Sequence, residues 1–148
     1  KYRLVGSEMC IRDRSYPAMK EAGVDVRLGT DGSASNNSLD LRAEAKAASL
    51  VQRHDHWDAR ILGPEETWGL ATKGSQDWVT WDLSDIRMRP FGRDGRRLLS
   101  NLIYSGAKVL DVFVEGEAVR RDGRTLTLDE DMVAEELEGS VTEYYQDV

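Results

Sequence analysis

Apolar and polar positions change period several times along the chain, and each change marks a predicted element. Ser15-Tyr16-Pro17 opens a short helix that runs through Glu21. Ser15 suits the N-cap, Pro17 costs nothing in a first turn where its N–H would have no acceptor, and Gly23 supplies a left-handed stop. Val24-Asp25-Val26-Arg27-Leu28-Gly29 then alternates apolar and polar residues, the period of a strand. Thr30 to Ser38 (TDGSASNNS) is rich in Gly, Ser and Asn and reads as a loop. Leu39 to Arg53 is dominated by strong helix formers. Leu39, Ala43, Ala47, Leu50 and Val51 fall near one face there and are the expected buried stripe. Gly63-Pro64 starts a further helix, Glu65 to Thr72, stopped at Gly74.

Beyond Gly74 the pattern shifts to short strands. Trp78 to Trp81 is β-prone, and Ser84 to Arg97 is irregular and charged. Lys108 to Val114 (KVLDVFV) alternates well, Glu115-Gly116 makes a turn, and Glu117 to Arg120 returns as a second strand. Asp122-Gly123 is a second turn signal before a short Thr125-Leu126-Thr127 strand. Thr127-x-x-Glu130 has the form of a capping box, opening a helix whose apolar positions are Leu128, Met132, Val133, Leu137, Val141 and Tyr144. The carboxylates on that helix lack basic neighbours and read as a solvated face. The chain thus divides into an α/β unit at 15–74 and a partial β domain with a terminal helix at 75–148. There are no internal repeats.

Composition narrows the function classes. A length of 148 residues allows about one ordinary domain. Twenty Lys and Arg against 27 Asp and Glu leave a net charge of −7, which disfavours the clustered cations of a nucleic-acid surface. No stretch approaches the about 20 apolar residues of a bilayer-spanning helix. No signal-peptide pattern is present either, so the expected setting is the cytoplasm. Val5 to Arg14 (VGSEMCIRDR) has no strand or helix period and matches the translated end of a transposon-type sequencing-library adapter. Residues 1–14 are therefore read as a non-native tail. Excluding them removes Cys10, the single cysteine, and with it any thiol chemistry.

Two sets of residues could carry chemistry. Asp31 follows a predicted strand in a Gly-containing loop, where parallel α/β folds place their active sites. A carboxylate there can bind a metal or accept a proton, although Asp-Gly is equally a common turn. His54-Asp55-His56 offers two histidines with the spacing that suits a metal on a strand. They follow a predicted helix instead, so they are read as surface or loop histidines.

The whole run Gly29 to Asp40 (GTDGSASNNSLD), with the Ala-rich helix after it, resembles the amidohydrolase superfamily. The similar branch is the metal-dependent deaminases and chlorohydrolases of adenosine-type and triazine-type rings. The likeness continues at Pro64 to Gly74 (PEETWGLATKG), Ser100 to Gly106 (SNLIYSG) and Val109 to Asp129 (VLDVFVEGEAVRRDGRTLTLD). It implies an α/β chain: the C-terminal part of a (β/α)₈ TIM-type barrel, plus part of a small β-sandwich domain and a terminal helix. It also implies that Asp31 is the catalytic carboxylate and a ligand of a divalent metal, zinc or iron. In that family this Asp takes a proton from the water that attacks the ring carbon, and ammonia or halide leaves. The Ser and Asn residues at 33–37 match the family loop, and capping the helix at Leu39 is the expected role of Ser38. The roles of Asn36 and Asn37 stay open.

The resemblance also exposes departures. The family's histidine ligands and acid/base glutamate lie upstream of its Asp, and no His occurs between Ser15 and Asp31. One carboxylate holds a catalytic metal weakly, so this chain alone is expected neither to retain metal nor to turn over. Family members carry a strand and a Gly-Lys-Ala-Asp-type segment where Gly74-Ser75-Gln76-Asp77 passes directly to Trp78. The implied partner is a small heterocyclic substrate, with no nucleic acid and no membrane, and with homo-oligomerisation left open. The rival reading is a non-catalytic interaction module, with Trp57, Trp68, Trp78 and Trp81 lining a docking surface.

Overall fold

A computed structural model describes residues 15–146. The tail at 1–14, with Cys10 and the adapter reading, lies outside the described residues. The chain mixes helix and sheet and separates into two units, 15–74 with Ser84–Ala107, and Ser75–Leu83 with 108–146.

The first unit is helical. Helix α1 (Tyr16–Glu21) starts as expected, with Ser15 Oγ accepting from the Ala18 N–H and Pro17 in the first turn. Gly23 follows with φ 72°. A one-turn helix α2 (Ser33–Asn36) interrupts the predicted loop. Helix α3 (Leu41–His56) is capped by the Asp40 carboxylate, which accepts from the N–H groups of Arg42 and Ala43. Ser38 is therefore not the cap: its hydroxyl accepts from the Asp40 N–H and closes the turn before the helix. Helix α4 (Pro64–Thr72) begins with Pro64 in its first turn, as its sequence implies.

Three expectations for this unit fail for identifiable reasons. Residues 24–29 form no strand, because a strand needs a neighbour to complete its ladder and none lies beside it among the described residues. The segment is anchored instead by the Leu28 N–H, which donates to the Leu70 carbonyl at 3.0 Å. The buried stripe of α3 is Ala45, Ala48, Ser49 and Gln52, whereas Leu39, Leu50 and Val51 are exposed. Small residues face inward because α4 and α5 pack closely against that side. Helix α5 (Gly95–Ser105) arises partly from the stretch read as irregular, capped by Asp94 and burying Leu102 and Ile103. That burial is why Ser84–Ala107 joins the first unit rather than the second.

One polar cluster locks α3 to the loop before α4. The Leu62 carbonyl accepts from Ser49 Oγ at 3.1 Å, Thr67 Oγ1 at 2.8 Å and Arg53 Nη2 at 2.8 Å. Arg53 also donates to the Ile61 carbonyl and to the Tyr104 hydroxyl, which itself meets Ser49 Oγ at 2.7 Å. These bonds satisfy polar groups that the Tyr16, Ala48 and Leu62 core would otherwise strand.

The second unit is a four-stranded antiparallel sheet in the order β1 (Trp78–Trp81), β2 (Val109–Val114), β3 (Glu117–Arg121), β4 (Arg124–Thr125). Both hairpin turns have positive φ at their two central residues, Glu115 and Gly116, then Asp122 and Gly123. Type I′ turns require that pair, and their twist matches the strands they join. A bulge falls at Thr80, whose hydroxyl accepts from the Asp111 N–H and donates to the Asp111 carboxylate. The other Asp111 oxygen accepts from the Asp122 N–H, so this one side chain ties β1 and the second turn to β2.

Helix α6 (Glu130–Gln146) follows. The expected capping box does not form. Asp129 accepts from the N–H groups of Asp131 and Met132, while Glu130 reaches back to Thr125 and pairs with Arg120 at 2.9 Å. One carboxylate of the expected solvated face thus has a basic partner. No residue of the second unit is buried among the described residues.

Candidate functional site

The loop after residues 24–29 carries the candidate carboxylate. Asp31 adopts φ 58°, a left-handed conformation that Asp tolerates better than most side chains because it can bond locally. Its Oδ1 accepts from the Gly32 N–H at 2.7 Å, and Thr30 Oγ1 donates to its carbonyl at 3.2 Å. The side chain is exposed. That geometry leaves an exposed carboxylate in the loop that follows residues 24–29.

The rest of the loop is built around two asparagines that sequence reading left open. Asn37, at φ 51°, is the left-handed residue that ends α2, its N–H donating to the Ser33 carbonyl. Asn36 Nδ2 donates twice, to the Thr30 carbonyl at 2.8 Å and to Glu44 Oε1 at 2.6 Å in the first turn of α3. Nothing in the spacing of Asn36 and Glu44 announces that contact, since they lie on different elements.

His54 and His56 occupy the last turn of α3 rather than a loop beyond it. His54 is exposed beside the Trp57 ring, with centroids 5.8 Å apart, and His56 Nε2 lies 3.0 Å from Ser15 Oγ. They do not gather with Asp31. Among the described residues no group of three or more His, Cys, Asp and Glu could hold a metal ion. Asp31 thus has one outward oxygen and no assembled ligand set, and the described residues by themselves do not fit a resident zinc. No helix among them is long and apolar enough to cross a membrane.

No family model matches the chain. A 5-methylthioadenosine/S-adenosylhomocysteine deaminase of Bacillus cytotoxicus is 35% identical over 132 residues, covering 78% of this chain and 30% of that protein. The protein of the same name from Bacillus cereus is 36% identical over 135 residues, with the same coverage. A crystal structure of an adenosine deaminase from Xanthomonas campestris with bound zinc superimposes with a TM-score of 0.75 at 26% identity. It covers 88% of this chain and 33% of that one. The chain is thus similar over most of its length to deaminases of the amidohydrolase type, and it spans about 30% of the length of the relatives it matches.

Proposed function

We propose that this chain is the C-terminal part of a hydrolytic deaminase acting on a purine-like nitrogen heterocycle. In this reading the first unit is the last α/β unit of a (β/α)₈ barrel, with residues 24–29 as its final strand. The second unit is part of a small β-sandwich domain. Residues 24–29 then find their missing ladder neighbours, and the exposed Val24, Leu39, Leu50 and Val51 their cover, in the remainder of the barrel.

The observation that carries the reading is the place of Asp31. It is an exposed carboxylate on a residue of left-handed φ, in the loop that follows residues 24–29, in a chain whose relatives are named as deaminases. In the whole enzyme such a carboxylate would supply one ligand to a divalent cation, zinc or iron, the other ligands coming from outside these residues. It also takes the proton of the water that adds to the ring carbon as the C–N bond breaks and ammonia leaves. The names of the relatives favour adenosine, 5-methylthioadenosine and S-adenosylhomocysteine as the substrates to try first.

The test is ammonia release by the product of the complete gene, purified with zinc. Asp31→Asn keeps the shape but removes the charge, and turnover is expected to fall by about 10²–10⁴-fold. Unchanged turnover overturns the assignment. The 148-residue chain alone is expected to release no ammonia from any of the three substrates.

A further inference from the structure

We propose that Asn36 is a positioning residue for Asp31, acting through a latch that joins the loop to helix α3; this rests on the reading of Asp31 given above. A primary amide has two N–H hydrogens on one nitrogen, and here both are engaged. One bonds the carbonyl of Thr30, the residue immediately before Asp31, at 2.8 Å. The other bonds Glu44 Oε1 at 2.6 Å, a short contact of the kind expected when the acceptor is charged. Thr30 is thereby tied to a rigid helix of 16 residues, and the peptide that aims Asp31 has little freedom left.

Among the described residues, the other bonds of residues 30–37 are local, the Gly32 N–H to Asp31 Oδ1, Thr30 Oγ1 to the Asp31 carbonyl and the backbone bonds of α2, and none of these joins the loop to helix α3. Helix α2 spans 4 residues and lacks a side-chain cap, and a single helical turn does not persist unaided in water. Its C-terminal stop is Asn37, so Asn36 is not needed there and its amide is used for the latch. Glu44 sits in the first turn of α3, where the helix dipole favours a carboxylate. An aspartate at position 36 could not replace the amide, since it lacks both donors and would set a second negative charge against Glu44.

Hydrogen exchange read by mass spectrometry on the 148-residue chain at low micromolar concentration tests the latch without any activity. In Asn36→Ala, amides of residues 32–37 are expected to exchange about tenfold faster, with residues 45–56 of α3 unchanged. Asn36→Asp is expected to do the same or worse. Glu44→Gln, which keeps an oxygen acceptor in place, is expected to retain near-native protection. Unchanged exchange in Asn36→Ala overturns the proposal. So does faster exchange spread equally through α3 and α4, which would make Asn36 a general stabiliser. Loss of the deaminase reading would leave these exchange results intact, and the reverse also holds.

Discussion

The two units of this chain reach order by different routes. Every buried residue among those described lies in the first unit, where Leu62, Met88, Ile103 and Thr67 are almost wholly enclosed. The second unit has none, and is held by ladder bonds, two tight turns and cross-strand contacts such as the Trp78–Phe113 stack at 3.7 Å. The lesson concerns range. Turn chemistry and strand alternation act over a few residues and survive in a sheet with no core. A buried core needs distant segments to meet, and only the first unit contains enough of them.

Core truncation should separate the units most sharply. Ile103→Ala leaves a cavity beneath α5, with an expected loss of about 2–5 kcal/mol read from the urea midpoint of the first unit. Phe113→Ala should cost only about 1 kcal/mol, because that side chain is half-exposed and gives up mainly its stack with Trp78. Equal losses would break the contrast.

Next in size is the polar cluster at Leu62. Arg53→Met keeps an apolar stem but removes the donors to Ile61, Leu62 and Tyr104, and about 2–3 kcal/mol is the expected cost in the same urea titration. A neutral result would mean that Ser49 and Thr67 alone satisfy the loop. In the second unit, Gly123→Ala places a Cβ at φ 78° and 3.1 Å from Lys108 Cε, with an expected cost of about 1 kcal/mol. Exchange should quicken in β3 and β4 and nowhere in the first unit.

The smallest predicted effects are those of pH, and they act on opposite arms. Burial, then the hydrogen bond to Glu66 and its charge, push the Tyr16 phenol up to about 12. Its contribution is complete below the ordinary tyrosine value of about 10 and is lost as pH rises through the folded value. Asp111 is held below the usual carboxylate range by the Asp122 N–H first and the Thr80 hydroxyl second. Its contribution is present above that ordinary range and is lost as pH falls through the folded value. Tyr16→Phe should flatten the alkaline arm of the first unit, and Asp111→Asn the acid arm of the second, both read by exchange against pH.

The same difference in range explains what the sequence disclosed. Both hairpins were legible because Glu115-Gly116 and Asp122-Gly123 each carry their own turn chemistry. The α1 cap at Ser15 and the start of α4 at Pro64 were legible for the same reason. Residues 24–29 read as a strand but pair with no strand among the described residues, because alternation reports a preference and not the presence of a neighbour. The stripe on α3 was misassigned because its buried side is chosen by α4 and α5, which accept Ala45, Ala48 and Ser49 at close range. Helix α5 went unread because its arginine-rich opening hid Leu102 and Ile103. At the candidate site, Asp31 stood out by its place after an apparent strand. The Asn36–Glu44 contact did not, because it joins side chains brought together only by the fold.

The central claim is that Asp31 works with ligands supplied from outside these residues. The most direct test is one long sequencing read across the native locus, spanning the codon for Ser15. The account predicts an open frame continuing upstream into a His-x-His strand, further histidines and a glutamate. A start codon close to Ser15, with no such segment before it, would contradict the claim and leave Asp31 a loop residue without partners.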